Sequence, residues 1–111
     1  MIQFVFYKNE FDRVVGFKCT NHGAEIVCAA VSALTMNTIN SIEVFGTCES
    51  IVNFDEKGGF MEFQLLPNDE TNDFDPIALL FLDSLDLGIC SIAAEYGNDI
   101  EVFVKEVNND D

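Results

Sequence analysis

The chain's 111 residues, 49% hydrophobic and 23% charged, suit one globular domain and exclude both a disordered chain and a second core. Its 20 acidic residues outnumber 5 basic ones, and the net charge of -15 argues against nucleic acid and anionic membrane, which bind through clustered Lys and Arg. Such a field draws in a basic partner and speeds its encounter, and it also serves solubility.

In chain order, Ile2 to Lys8 alternates aromatic and β-branched residues with others and reads as a strand. Asn9 to Asp12 supplies turn chemistry, and Arg13 to Asn21 reads as the second strand of a hairpin. From Glu25 to Phe45 the apolar residues Val27, Val31, Leu34, Ile39, Ile42 and Phe45 recur near a helical period, with Gly46 as the stop. Ser50 to Phe54 and Phe60 to Leu66 form a second hairpin around Asp55-Glu56-Lys57-Gly58-Gly59. Pro67 to Asp73 is a polar loop. A second helix starts near Asp75, with Pro76 suited to its first position, and runs to about Tyr96. Ile100 to Val107 closes the domain as a strand, and residues 108–111 form an acidic tail. The order ββαββαβ predicts an α+β fold over residues 1–107: two layers, a mostly antiparallel sheet of about five strands, and two helices on one face.

Met1 to Tyr7 carry no basic region of a secretory signal, and Asp83 and Asp86 interrupt the longest apolar stretch, Pro76 to Ala94. That stretch is expected to be a buried helix, and the protein to be cytoplasmic and off the membrane. The four cysteines, Cys19, Cys28, Cys48 and Cys90, are then expected to be reduced thiols. Cys19-x-x-His22 followed by Cys28 lacks a fourth zinc ligand, and no phosphate loop or cofactor motif occurs, so neither metal nor cofactor is expected.

The join between the second strand and the first helix carries the chemistry. It holds the only histidine, His22, and six residues later Cys28, near the start of the helix. Unpaired amides and the helix dipole favour a thiolate there, and an imidazole folded back from the strand end would act as its base. The alternative reading of the same residues is a small buried cysteine and a surface histidine.

Glu25-Ile26-Val27-Cys28-Ala29-Ala30-Val31-Ser32-Ala33-Leu34 resembles the signature of the ribosomal-processing cysteine protease family, Prp. Members carry a Gly-His-Ala element, a mobile loop, then Gly-x-Asp-Ile-Val-Cys-Ala-Ala with a serine one helical turn on. The resemblance implies an endopeptidase that trims the N-terminal extension of large-subunit ribosomal protein L-twenty-seven, a basic substrate, and a homodimer. It matches Cys28 to the nucleophile, His22 to the general base and Ser32 to the motif serine. Glu25 stands for the family's Asp, and Gly23 for the Ala after its histidine; both are candidate supporting residues. Backbone amides near Val27 and Cys28 are expected to face the oxyanion.

The match departs from the family in one length: only five residues separate His22 from Cys28, fewer than the family's loop. A second alignment nearly keeps that length by setting Gly16-Phe17-Lys18 against Gly-His-Ala, with phenylalanine in place of the histidine. It describes a non-catalytic, ribosome-associated binding module.

Overall fold

A computed structural model describes residues 1–107; the acidic tail of residues 108–111 lies outside them. The element order is β1 (Ile2–Lys8), β2 (Val14–Thr20), α1 (Glu25–Phe45), β3 (Ser50–Phe54), β4 (Phe60–Leu65), α2 (Pro76–Glu95) and β5 (Ile100–Glu106). Five strands form one sheet in the order β3-β4-β2-β1-β5. Three neighbouring pairs are antiparallel and β5 runs parallel to β1, so the expected α+β fold with a mostly antiparallel sheet is found. A parallel neighbour cannot be reached by a hairpin, and α2 provides the crossover that places β5 beside β1.

Alternation along the strands decides which side the helices cover. Ile2, Phe4 and Phe6 of β1 are buried on one face, while Gln3 between them is exposed. The register sets Phe6 opposite Phe17 and Phe17 opposite Phe63, so aromatic rings run across the middle of the sheet. Centroids lie 4.8 Å apart for Phe4–Phe6, 5.3 Å for Phe4–Phe17 and 5.6 Å for Phe17–Phe63, within the range of favourable ring pairs. Against this row α2 buries Ala78, Leu79, Leu82, Leu85 and Ile89, and α1 buries Val27, Val31, Thr35, Thr38, Ile39 and Ile42.

On the uncovered face Tyr7 is only 6% exposed, because its ring crosses the neighbouring strand at Gly16 and its hydroxyl donates to Glu62 on β4. A Cβ at Gly16 would stand 3.2 Å from Tyr7 Cδ2 and collide with the carbonyl oxygen of Phe63. Burial, followed by the Glu62 carboxylate, pushes the Tyr7 phenol above its ordinary range.

The helix ends follow from different devices. Asp75 caps α2 with Oδ1 on Ile77 N–H at 2.9 Å, ahead of Pro76 in the first turn. Its Oδ2 accepts Thr47 N–H at 2.7 Å, which ties the end of α1 to the start of α2 and, with the other amides on it, lowers the Asp75 carboxyl. By contrast α1 opens on Ala24, whose side chain caps nothing.

The expected buried character of α2 needs correction. One of its faces packs on the sheet, but Ile77, Leu80 and Leu87 of the other are 46%, 68% and 74% exposed. Both helices are long and apolar enough, by length and composition, to cross a bilayer; here each lays one face on the sheet instead.

Because Phe17 is fully buried between Phe4 and Phe63, Phe17→Ala should cost about 3–5 kcal/mol, read as a lower urea midpoint.

Candidate active site

Two hollows stand out on the surface of the described residues. The larger, about 410 Å³, is lined by Thr47, Cys48, Glu49 and the segment from Leu66 to Pro76, at the C-terminal end of α1. It holds no imidazole, and its central carboxylate, Asp75, is already engaged as a cap. The smaller, about 210 Å³, lies at the other end of α1 and brings together the residues singled out from the sequence. His22, Cys28 and Ser32 all line it, with Ile2, Cys19, Val31 and Thr35 below and Phe54, Phe60 and Met61 at the side. We take the smaller hollow as the site, because nucleophile and base types meet there.

The chain reaches this groove through a sharp bend. Asn21 adopts φ 70°, a left-handed conformation that Asn tolerates, and its N–H donates to Gly59 O at 3.0 Å. The bend carries His22 against the β3–β4 turn. That turn is set by Asp55, whose Oδ1 accepts Lys57 N–H at 2.9 Å, and by Gly58 and Gly59 at φ 85° and 83°. Neither glycine has a side chain to displace the imidazole: a Cβ at Gly59 would stand 3.1 Å from His22 Nε2, and one at Gly58 3.4 Å from Cε1. His22 is exposed and Cys28 half-buried.

Cys28 is the fourth residue of α1, and its amide donates to Ala24 O at 2.9 Å. This corrects the expectation that the Cys28 amide faces an oxyanion: one turn into a helix, an N–H already has its carbonyl. Among the two amides expected there, only Val27 belongs to the first-turn groups that lack an intrahelical partner. The thiol is held by Gly23: Gly23 N–H donates to Sγ at 3.3 Å, and Sγ donates to Gly23 O at 3.5 Å. Gly23 therefore touches the nucleophile candidate directly. Ser32 stands one turn further along the same groove, as a spacing of four residues requires. Glu25, the first residue of α1, is exposed and lines no part of the groove.

Two contributors escaped the sequence reading, and a third, Cys19, stood there only as part of a metal-like spacing. Cys19, on the helix-covered face of β2, shares the groove with Cys28; burial, and then the Cys28 charge, push its thiol up to about 11. The Gly58–Gly59 pair looked like ordinary turn chemistry and gave no sign that it shapes the seat of an imidazole. Asp99 accepts Ala24 N–H on Oδ1 at 3.2 Å from 75 positions away. Among the described residues no group of three or more His, Cys, Asp or Glu is arranged to hold a metal ion.

The second alignment can be set on the fold. Phe17 lies in mid-β2, inside the aromatic row and away from the groove, whereas His22 opens into the groove beside Cys28. His22 and Cys28 line one groove, and Phe17 does not.

Fold and groove together place the chain among two-layer α+β domains that present a cysteine at a helix start. It belongs to the cysteine protease Prp family, whose sequence profile matches residues 1–101. It is 23% identical over 108 residues to the ribosomal processing cysteine protease Prp of Bacillus subtilis, covering 92% of this chain and 96% of that one. A Streptococcus mutans protein of known structure is 31% identical, with a TM-score of 0.81 and 96% of each chain covered. The essential ribosomal processing protease Prp of S. aureus, crystallised with a covalently linked product peptide, is 24% identical and shares the fold at a TM-score of 0.82, over 95% of this chain and 100% of that one.

A thiolate rather than a thiol is the species that alkylates. With its folded pKa raised to about 11, Cys19 should stay unlabelled by iodoacetamide at pH 8 and become reactive only as pH climbs toward that value. Peptide mass mapping across the pH series checks this; ready labelling of Cys19 at pH 8 in folded protein contradicts it.

Proposed function

We propose that this chain is a cysteine endopeptidase that removes the N-terminal extension of large-subunit ribosomal protein L-twenty-seven. The observation that carries the reading is the shared groove, in which the Cys28 thiol and the His22 imidazole face one space at the start of α1. Membership in the Prp family and the name of the Bacillus subtilis relative support the reaction class and the ribosomal substrate. The net charge of -15 suits a basic ribosomal protein.

In this reading His22 takes the Cys28 proton and the thiolate attacks the scissile carbonyl. The Val27 amide stabilises the oxyanion; the imidazolium returns the proton to the leaving amine, and water then hydrolyses the thioester. Gly23 borders the thiol and positions it, Ser32 lines the same groove one turn on, and Glu25, exposed and outside the groove, acts through the field at the helix start. The protein works in the cytoplasm, where its four thiols stay reduced.

A second reading is a non-catalytic family member that binds a ribosomal partner without cutting it. The second alignment sets Gly16-Phe17-Lys18 against the family's Gly-His-Ala and nearly keeps its loop length, with Phe17 where the histidine stands. The two readings part on one assay, a peptide spanning the extension of the same organism's L-twenty-seven. The protease reading expects cleavage by wild type, none by Cys28→Ala, and a loss of about 10²-fold or more for His22→Ala. Binding of the uncut peptide by folded wild type supports the second reading instead.

The reading includes a homodimer joined through the outer face of α2. Ile77, Leu80, Ser84 and Leu87 are exposed there at spacings of three and four, the seam a second helix packs against. Leu80→Glu with Leu87→Glu should convert a dimer to a monomer in light-scattering chromatography; an unchanged mass places the interface elsewhere.

A further inference from the structure

Asp99 lies in the turn between α2 and β5, and its backbone is fixed from both sides. Its N–H donates to Tyr96 O at 2.9 Å, and its carbonyl accepts Ile2 N–H at 2.8 Å. The carboxylate is thus presented from an anchored point, and what it holds is the connection between His22 and Cys28: Oδ1 accepts Ala24 N–H at 3.2 Å.

In the common capping box, the third helical residue is a Glu or Gln that reaches back to the N-cap amide. Here that residue is Val27, which has no acceptor, and the N-cap residue Ala24 makes no side-chain bond. Asp99 supplies the missing acceptor from another part of the chain. The connection also lies flush on the Asp99 turn, for a Cβ at Gly23 would stand 2.8 Å from Asp99 O and 3.4 Å from its Cβ.

The N–H of Ala24 and the C=O of Gly23 belong to one planar peptide unit. Its N–H is held by Asp99, and its carbonyl oxygen accepts from Cys28 Sγ at 3.5 Å. Fixing one end of the plane fixes the other, and an anionic acceptor on the N–H polarises the carbonyl as well. The preceding amide, Gly23 N–H, donates to the same sulfur at 3.3 Å.

We propose that Asp99 is a positioning residue for the thiol, acting through the Gly23–Ala24 peptide plane to hold the Gly23 carbonyl on Cys28 Sγ. The inference deepens the thiol-protease reading and rests on it for the role of Cys28. It makes the short His22–Cys28 connection a strap pinned to the α2–β5 turn.

The test compares Asp99→Asn with Asp99→Ala. Both lose the charge, but only the first keeps an acceptor at that point. The readout is the rate of Cys28 alkylation by iodoacetamide across pH, resolved by peptide mass, with Cys19 as the internal control for opening of the fold. Gly23 O accepts from the protonated thiol and so favours it over the thiolate; losing that bond should quicken Cys28 alkylation in Asp99→Ala by about 3- to 10-fold relative to Asp99→Asn near neutral pH, with the profile displaced downward. Amide exchange in residues 23–28 should quicken in Asp99→Ala alone. Equal Cys28 profiles in the two variants overturn the proposal. So does faster labelling of Cys19 and Cys28 together, which marks general loosening. Alkylation requires no peptide cleavage, so the outcome stands apart from the L-twenty-seven assay; where that assay gives turnover, kcat should fall in Asp99→Ala with KM little changed.

Discussion

The row of phenylalanines across β1, β2 and β4 is the contact on which the site depends. Phe4, Phe6, Phe17 and Phe63 can meet only if the three strands keep one register, since a slip of one residue turns every side chain of a strand to the opposite face. On the same face, toward one edge of this row, stand Ile2, Cys19 and Met61, and these line the groove under Cys28. The register that packs the core also decides where β2 ends, and therefore where Asn21 bends and His22 emerges. Core and site are two consequences of one alignment of strands.

Much of this was legible in the residues because local chemistry and tertiary position agree. The alternation of Ile2 to Lys8, the helical spacing from Val27 to Ile42, and the Asp75-Pro76 start each name an element that the fold then uses. The join at His22 and Cys28 stood out for the same reason: a strand end, a bend and a helix start put two reactive side-chain types close in sequence. What stayed hidden depends on contacts between distant positions. Nothing near Ala24 announces a carboxylate at Asp99, and nothing near Tyr7 shows that its ring lies over Gly16 and reaches Glu62. The apolar stretch of α2 misled in a different way. Periodicity is blurred when both faces of a helix are apolar, so composition implied burial on all sides where the fold buries one. The error over the Cys28 amide was one of counting, since a cysteine at the fourth helical position has already entered the hydrogen-bonded ladder.

Electrostatics set the character of the groove's surroundings. Among the described residues two of the five cationic side chains are engaged in ion pairs, Lys8 with Asp12 at 3.5 Å and Arg13 with Asp83 at 3.1 Å, both open to solvent, where such pairs contribute little to stability. The field around the thiol is therefore that of a strongly acidic domain. Close to the sulfur the polar groups are local ones, and the Gly23 amide donates to it at 3.3 Å. Long-range charge and short-range dipoles act on different scales here: the first over the whole domain, the second on one sulfur.

The parallel pairing of β5 with β1 also orders events in time. The first strand of the sheet receives its outer neighbour only from residues 100–106, so its edge stays open while everything between is made. The turn that leads into β5 is the one that carries Asp99 and binds the Ile2 amide. A nascent chain can thus fold its two hairpins and its first helix while the peptide beside Cys28 is still untethered. A chain that ended before Asp99 would carry the Cys28 thiol without the acceptor that holds the Ala24 amide beside it.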